Sequence, residues 1–261
     1  MIRILKTDNT FLLGIIGLCG FLALWTLLSL SGLVPRLFLP SPAEVAGRFI
    51  HLLSHRFAGG TLLDHLWASM LRFAGGFGLA VLIGVPLGLL MGWFRLLDDI
   101  VTPLFDAVRF IAPIAWVPFA ALWFGTGIGG PIMIIFAGAF PPCLINAYRG
   151  AKFVDPRLIE AARMLGTPDL RMISEVLLPS AVPSIIAGLR ISAGLGWQSL
   201  VGAELIVAST GIGYMMVQGQ GNVSTTTVMS GMIGIGIIGL VIDIVLRGAE
   251  TVILRRRGLV T

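Results

Sequence analysis

Residues 149–179 read RGAKFVDPRLIEAARMLGTPDLRMISEVLLP, a charged stretch set between two long apolar runs. Two helix starts are written into it in the same way. Asp155-Pro156 offers an N-cap side chain followed by proline at the first helical position, and Thr167-Pro168-Asp169 repeats the device. Gly166 between them suits a helix C-terminus and a sharp turn. Pro179 is expected to close the second helix before the next apolar run begins. Leu158, Ile159, Ala162 and Leu165 form an apolar stripe on the first helix, with Glu160 and Arg163 elsewhere on its surface. The segment therefore reads as a helix–turn–helix bracket that presents a shaped face to a soluble partner.

The runs on either side of the bracket are membrane helices. Of 261 residues, 56% are hydrophobic and 12% charged, against roughly 25% charged in a soluble domain. The mean hydropathy is +0.96. The apolar runs predict six spans, at Phe11–Ser31, Leu66–Trp93, Val101–Phe124, Gly130–Ala147, Ala181–Ala208 and Val228–Leu246. The first follows Arg3 and Lys6 as a signal peptide would. It is longer than an h-region and ends without a small-x-small cleavage site, so it reads as a retained span.

Orientation follows from Lys and Arg. With the N-terminus cytoplasmic, the inside holds Arg3, Lys6, Arg95, Arg149, Lys152, Arg157, Arg163, Arg171, Arg247 and Arg255 to Arg257, and the outside only Arg36, Arg48 and Arg56. That asymmetry places both termini inside. The same distribution removes nucleic acid as an explanation of the +5 net charge, because the basic residues sit between spans and not in a patch. Cys19 and Cys143 each stand in an apolar run and read as buried, inert thiols, with no clustered partners for metal or redox chemistry.

Between the first two spans, Pro40-Ser41-Pro42-Ala43-Glu44 reads as a turn feeding an interfacial helix, with Ser41 as N-cap and Glu44 in the first turn. Val45, Phe49, Ile50 and Leu53 share its apolar face, and His51 and His55 read as solvated. Small residues recur every fourth position in the second span (Gly76, Ala80, Gly84, Gly88, Gly92) and in the fifth (Gly188, Ser192, Gly196), which favours close helix approach. Pro86, Pro113, Pro118, Pro141, Pro142 and Pro183 interrupt spans, a pattern tolerated where freed carbonyls face protein or a water-filled path. Asp106, Arg109, Arg190, Glu204 and Asp243 lie within spans, where each costs about 2.5–3.5 kcal/mol if lipid-facing. Asp106 and Arg109, three apart, are placed to pair; Arg190 is expected to snorkel toward the cytoplasmic face.

Glu160-Ala161-Ala162, three residues, Gly166, nine residues and Val176-Leu177-Leu178-Pro179 resemble the EAA loop of bacterial ABC importer permeases, with Val176 where that family usually has Ile. The resemblance extends over Leu39–Val45, Pro113–Pro118 with Trp123-Phe124-Gly125, Gly196-Trp197 through Ala203-Glu204, and Gly211–Tyr214, which are similar to the nitrate/sulfonate/taurine branch. It implies an all-α, polytopic, type I importer permease fold over residues 1–261, with a transmembrane core at about 64–250, in the bacterial inner membrane. It also implies that the first short helix is a coupling helix, with Glu160, Ala161, Ala162, Leu165, Gly166 and Pro179 forming the surface met by an ATPase. By the same resemblance, Trp197 and Glu204 are pathway or gate residues, helix packing being the other role open to them. Arg109 is the basic residue placed to meet an anionic solute.

The chain carries no Gly-x-x-x-x-Gly-Lys-Ser/Thr loop, so it is not expected to be an enzyme or to bind a cofactor or metal itself. The resemblance assigns ATP and Mg²⁺ to partner ABC ATPase subunits. It adds a second permease copy, a homodimer in the simplest case, an external solute-binding protein and a solute such as a sulfonate, taurine or nitrate. The competing reading is an ion-gradient carrier with Asp106, Glu204 and Asp243 as relays, which leaves the EAA spacing unexplained.

Overall fold

The computed structural model describes residues 9–256; Arg3, Lys6 and Arg257, counted above for orientation, lie outside them. Apart from one isolated bridge between Phe57 and Gly60, the described residues form helices and connections only. The chain runs as α1 (Asn9–Leu30), α2 (Pro42–Ser54), α3 (Leu62–Trp93), α4 (Arg95–Val108), a 3₁₀ turn (Pro113–Trp116), α5 (Val117–Phe124) and α6 (Gly129–Lys152). It continues with α7 (Pro156–Met164), α8 (Asp169–Arg171), a π turn (Met172–Leu177), α9 (Leu178–Ile206), α10 (Ile212–Gly221) and α11 (Thr225–Arg256).

The centre is α6, held between α3 and α9. The small residues of α3 face it: Gly76, Ala80, Gly84 and Gly88 are buried, and a Cβ on Gly84 would lie 3.0 Å from that of Cys143. On its other side, a Cβ on Gly196 would lie 3.2 Å from that of Ala139. Ser192 closes this seam by donating to the Ala139 carbonyl, while Cys143 Sγ meets Ser192 Oγ at 3.0 Å. Close packing and interhelical hydrogen bonds thus replace the hydrophobic drive that lipid removes.

The expected third span, Val101–Phe124, is not one straight helix. It is two arms, α4 and the 3₁₀ turn with α5, bent by 84° at residues 109–112. Pro113 keeps Ala112 extended (φ −57°, ψ 138°), and Pro118 withdraws a second amide. Among the described residues five helices are long and apolar enough to cross a membrane, six if the bent pair is one span. The second span begins earlier than expected because Thr61 and Asp64 form a capping box, with the Thr61 amide donating to Asp64 Oδ2 at 2.9 Å.

Helix α2 has the expected cap: Glu44 N donates to Ser41 Oγ (3.3 Å) and Ser41 N to Glu44 Oε2 (2.8 Å). Its buried face is rotated from the expected one. Val45 and Leu52 are buried and Phe49 half-buried, whereas Ile50 and Leu53 are exposed. Leu62, Ile212 and Met215 cluster with Leu52 and Phe49, and positions 45, 49 and 52 are the ones that share a helical face toward them. His51 and His55 are exposed, as expected. Cys143 is buried, but Cys19 is exposed. Helix α1 reaches the rest through its far end, where Trp25 Nε1 donates to the Pro40 carbonyl (3.1 Å) and Ser29 Oγ to that of Leu39 (2.9 Å).

Candidate functional site

The bracket forms where expected, and its first helix is closed at both ends. Asp155 Oδ1 accepts from the Arg157 amide at 2.9 Å, with Pro156 at the first position. At the other end Gly166 adopts φ +73°, its amide donates to the Arg163 carbonyl (2.9 Å) and that of Thr167 to Ala162 (3.1 Å). This is the paired closure that a left-handed residue permits.

Two expectations fail just beyond it. Thr167 does not cap the second helix: its amide is used in closing α7, Pro168 is the N-cap, and no side chain caps the start. Nor does Pro179 end that helix. α8 passes through the π turn into α9, making one run from Asp169 to Ile206 with Pro179 near the start of α9. The widened π turn shifts the hydrogen-bond ladder just where proline brings no amide.

The face that the bracket presents is apolar and uncovered. Leu165 is 85% and Met164 87% exposed, and Phe153, Leu158 and Leu170 in and beside the bracket are exposed as well. Glu160 and Ala161 are exposed beside them, while Ala162 is buried. Ile159 packs on a cluster of Ala151, Val154, Leu177, Ala181 and Leu89, so the bracket is seated on α3, α6 and α9. Such a patch on a polar loop is the mark of a partner surface.

Sequence reasoning missed a polar clasp next to it. Asp98 accepts from Thr102 Oγ1 (2.6 Å), Tyr148 Oη (2.7 Å) and Lys152 Nζ (2.9 Å), and Lys152 also meets the Tyr148 hydroxyl. Helix α4 has no buried residue, so this clasp is what binds its start to the end of α6, three residues before the cap of α7. Nothing local in the sequence joins Asp98 to Tyr148 and Lys152.

Arg109 lies at the C-cap of α4, where the third span bends. Its Nε meets Asp106 Oδ1 at 2.8 Å, the expected pair, and its guanidinium stands 4.6 Å from the Phe110 ring centroid. Two adjoining cavities open beside it, between α4, α6 and α9. One, of about 360 Å³, is lined by aromatics including Phe105, Trp116 and Phe136; the other, of about 350 Å³, by Pro141, Pro142, Gln198 and Ser199. Trp197 is buried edge-on against Phe73 and donates from Nε1 to the Ile235 carbonyl (3.2 Å), at the margin of a smaller cleft between α9 and α11.

Glu204 lies away from these cavities, 1% exposed. Its carboxylate accepts from Arg72 Nη1 (2.8 Å), Ser69 Oγ (2.8 Å) and the Gly213 amide (3.1 Å). Arg72 goes on to the Thr210 carbonyl (2.6 Å) and hydroxyl (2.5 Å). The Gly211 amide donates to His65 Nδ1 (3.2 Å), so His65 donates from Nε2 to the Phe57 carbonyl (2.9 Å). Gly211, at φ +108°, fits because a Cβ would lie 2.5 Å from Glu204 Cδ. The network fastens the turn from α9 into α10 onto the N-terminal third of α3. Arg190 pairs with Asp243 (2.9 Å) and lies 3.7 Å from Glu250, while Arg247 takes the other Asp243 oxygen (2.7 Å).

Comparison with known proteins gives one consistent picture. Residues 84–258 match the family described as binding-protein-dependent transport system inner membrane component. The chain is 37% identical over 226 residues, 87% of its length and 89% of the relative's, to a probable ABC transporter permease protein of Brucella melitensis biotype 1. It is 35% identical over 227 residues, 87% of its length and 82% of the relative's, to the taurine transport system permease protein of Escherichia coli (strain K12). Its fold is similar to a chain of the inward-facing MetNI methionine ABC transporter, with a TM-score of 0.63 at 22% identity, over 74% of this chain and 95% of that one.

Proposed function

This chain belongs to the family of binding-protein-dependent transport system inner membrane components, and from that premise we propose that it is the membrane subunit of an ATP-driven importer, coupled through α7. The observation that carries the coupling is the uncovered apolar face of α7 and its turn, capped at both ends and seated on three membrane helices. Glu160, Ala161, Ala162, Leu165 and Gly166 form the surface for a cytoplasmic ABC ATPase, with Pro179 at the start of α9, just after the π turn. ATP and Mg²⁺ are used by that partner, since this chain has no phosphate loop. A second copy of the chain completes the path, and an external binding protein delivers solute. Closure of the ATPase pair draws two coupling helices together, a rigid-body input that switches the permeases between inward- and outward-open states. Both termini lie on the ATPase side.

The cargo is a small solute that carries an oxyanion group, such as a sulfonate, taurine or nitrate. Arg109 on the cavities supports this, as does the cargo in the name of the taurine relative. The ion-gradient carrier has no support. Asp106, Glu204 and Asp243 are each paired with an arginine within 3 Å, and an ion-gradient carrier leaves the match to binding-protein-dependent permeases unexplained.

The test is affinity purification of the tagged chain from its own membranes in mild detergent, with mass spectrometry and an ATPase assay. A P-loop ATPase is expected with the wild type and is lost with Glu160→Arg. A chain that purifies alone, without ATPase activity, refutes the coupling role.

A further inference from the structure

The cavity beside Arg109 has two chemical poles. Pro141 and Pro142 stand inside α6 and bring no amide hydrogens, so the carbonyls of Ala137 and Gly138 lose the donors an unbroken helix supplies. Both residues line the 350 Å³ cavity with Arg109 and Ser199. Ser199 packs on Gly138, its Cβ 3.0 Å from where a Gly138 Cβ would lie, and its hydroxyl donates to the Leu195 carbonyl (2.7 Å). Its oxygen is thereby left as an acceptor. One wall of the cavity thus offers three acceptors, and unsatisfied carbonyls within a span are costly.

The opposite pole is cationic. Arg109 stands fourteen positions beyond Arg95, the first residue of α4, or about 21 Å along the helix. Only its Nε is held by Asp106, and its side chain is 34% exposed. An arginine within a membrane span is met by water, protein or a solute and not by lipid.

Resting on the importer reading, we infer that this cavity is a subsite for a small zwitterion, its oxyanion on the Arg109 guanidinium and its protonated amine on the Ala137 and Gly138 carbonyls and Ser199 Oγ. A simple anion uses one pole and leaves the acceptors unfilled; a zwitterion satisfies both.

The test uses the full chain with its co-purifying subunits in lipid nanodiscs, and saturation-transfer NMR with taurine, 1-propanesulfonate (no amine) and propylamine (no oxyanion). Taurine is expected to bind more tightly than either. R109Q should weaken taurine and 1-propanesulfonate about tenfold or more and leave propylamine unchanged. P141A returns a donor to the Ala137 carbonyl and should weaken taurine several-fold without touching 1-propanesulfonate. S199V, which leaves the α6 backbone alone, should do the same and decides the matter if P141A does not fold. Equal binding of taurine and 1-propanesulfonate, or P141A and S199V moving both probes alike, overturns the inference. Loss of taurine binding from a preparation that keeps its ATPase sinks the zwitterion site alone. A preparation without ATPase sinks the importer reading beneath it.

Discussion

Glu204 shows how one side chain takes its meaning from what surrounds it. In sequence it is an acid in a span, open to a pathway or a packing role; in the fold it is enclosed with Arg72, Ser69 and the Gly213 amide. Removing one partner of a buried pair leaves the other charge stranded, so Glu204→Ala should destabilise the chain by about 3–5 kcal/mol. Thermal unfolding in detergent checks this, and an unchanged midpoint would count against a structural clasp. Glu44 behaves differently because it lies on the exposed turn of α2. The Ser41 amide and hydroxyl hold its carboxyl below the usual range, so its contribution is present above the unfolded pKa and lost as pH falls through the folded one. The protection of the amides at the start of α2, relative to their intrinsic exchange rate, should fall in acid, and Glu44→Gln should remove that dependence.

At the scale of elements, the clasp of Asp98 with Tyr148 and Lys152 ties the start of α4 to the end of α6. Any movement of the bracket is then passed to α4, whose other end carries Arg109. Asp98→Asn with Tyr148→Phe should leave the chain folded and its ATPase bound, while lowering solute transported per ATP hydrolysed. An unchanged ratio in proteoliposomes would exclude that route. The turn after α7 is a second test. Gly166 at φ +73° makes Gly166→Ala cost about 1–2 kcal/mol locally, and ATPase affinity should fall while expression holds.

For the whole molecule, the proposed orientation puts the α7 bracket and both termini on one side of the membrane and α2 on the other. A cysteine at Arg56 should react with an impermeant maleimide added outside intact cells, and one at Leu165 only after permeabilisation. The reverse result would invert the assignment. Helix α1 stays outside the packed centre, joined through Trp25 and Ser29.

The membrane class, the spans, the α2 cap and the bracket were legible in the sequence because each is set by local signals: runs of apolar residues, N-cap side chains, a glycine at a turn. The small-residue stripes also announced which faces of α3 and α9 would meet a neighbour. Only the tertiary structure decided that this neighbour is α6, that the third span bends by 84°, and that α8 runs unbroken into α9. It alone paired Arg72 with Glu204, Arg190 with Asp243 and Lys152 with Asp98, residues 132, 53 and 54 positions apart. Caps and turns reach only their sequence neighbours, whereas a charge buried in a membrane takes whichever partner the packed helices bring within about 3 Å.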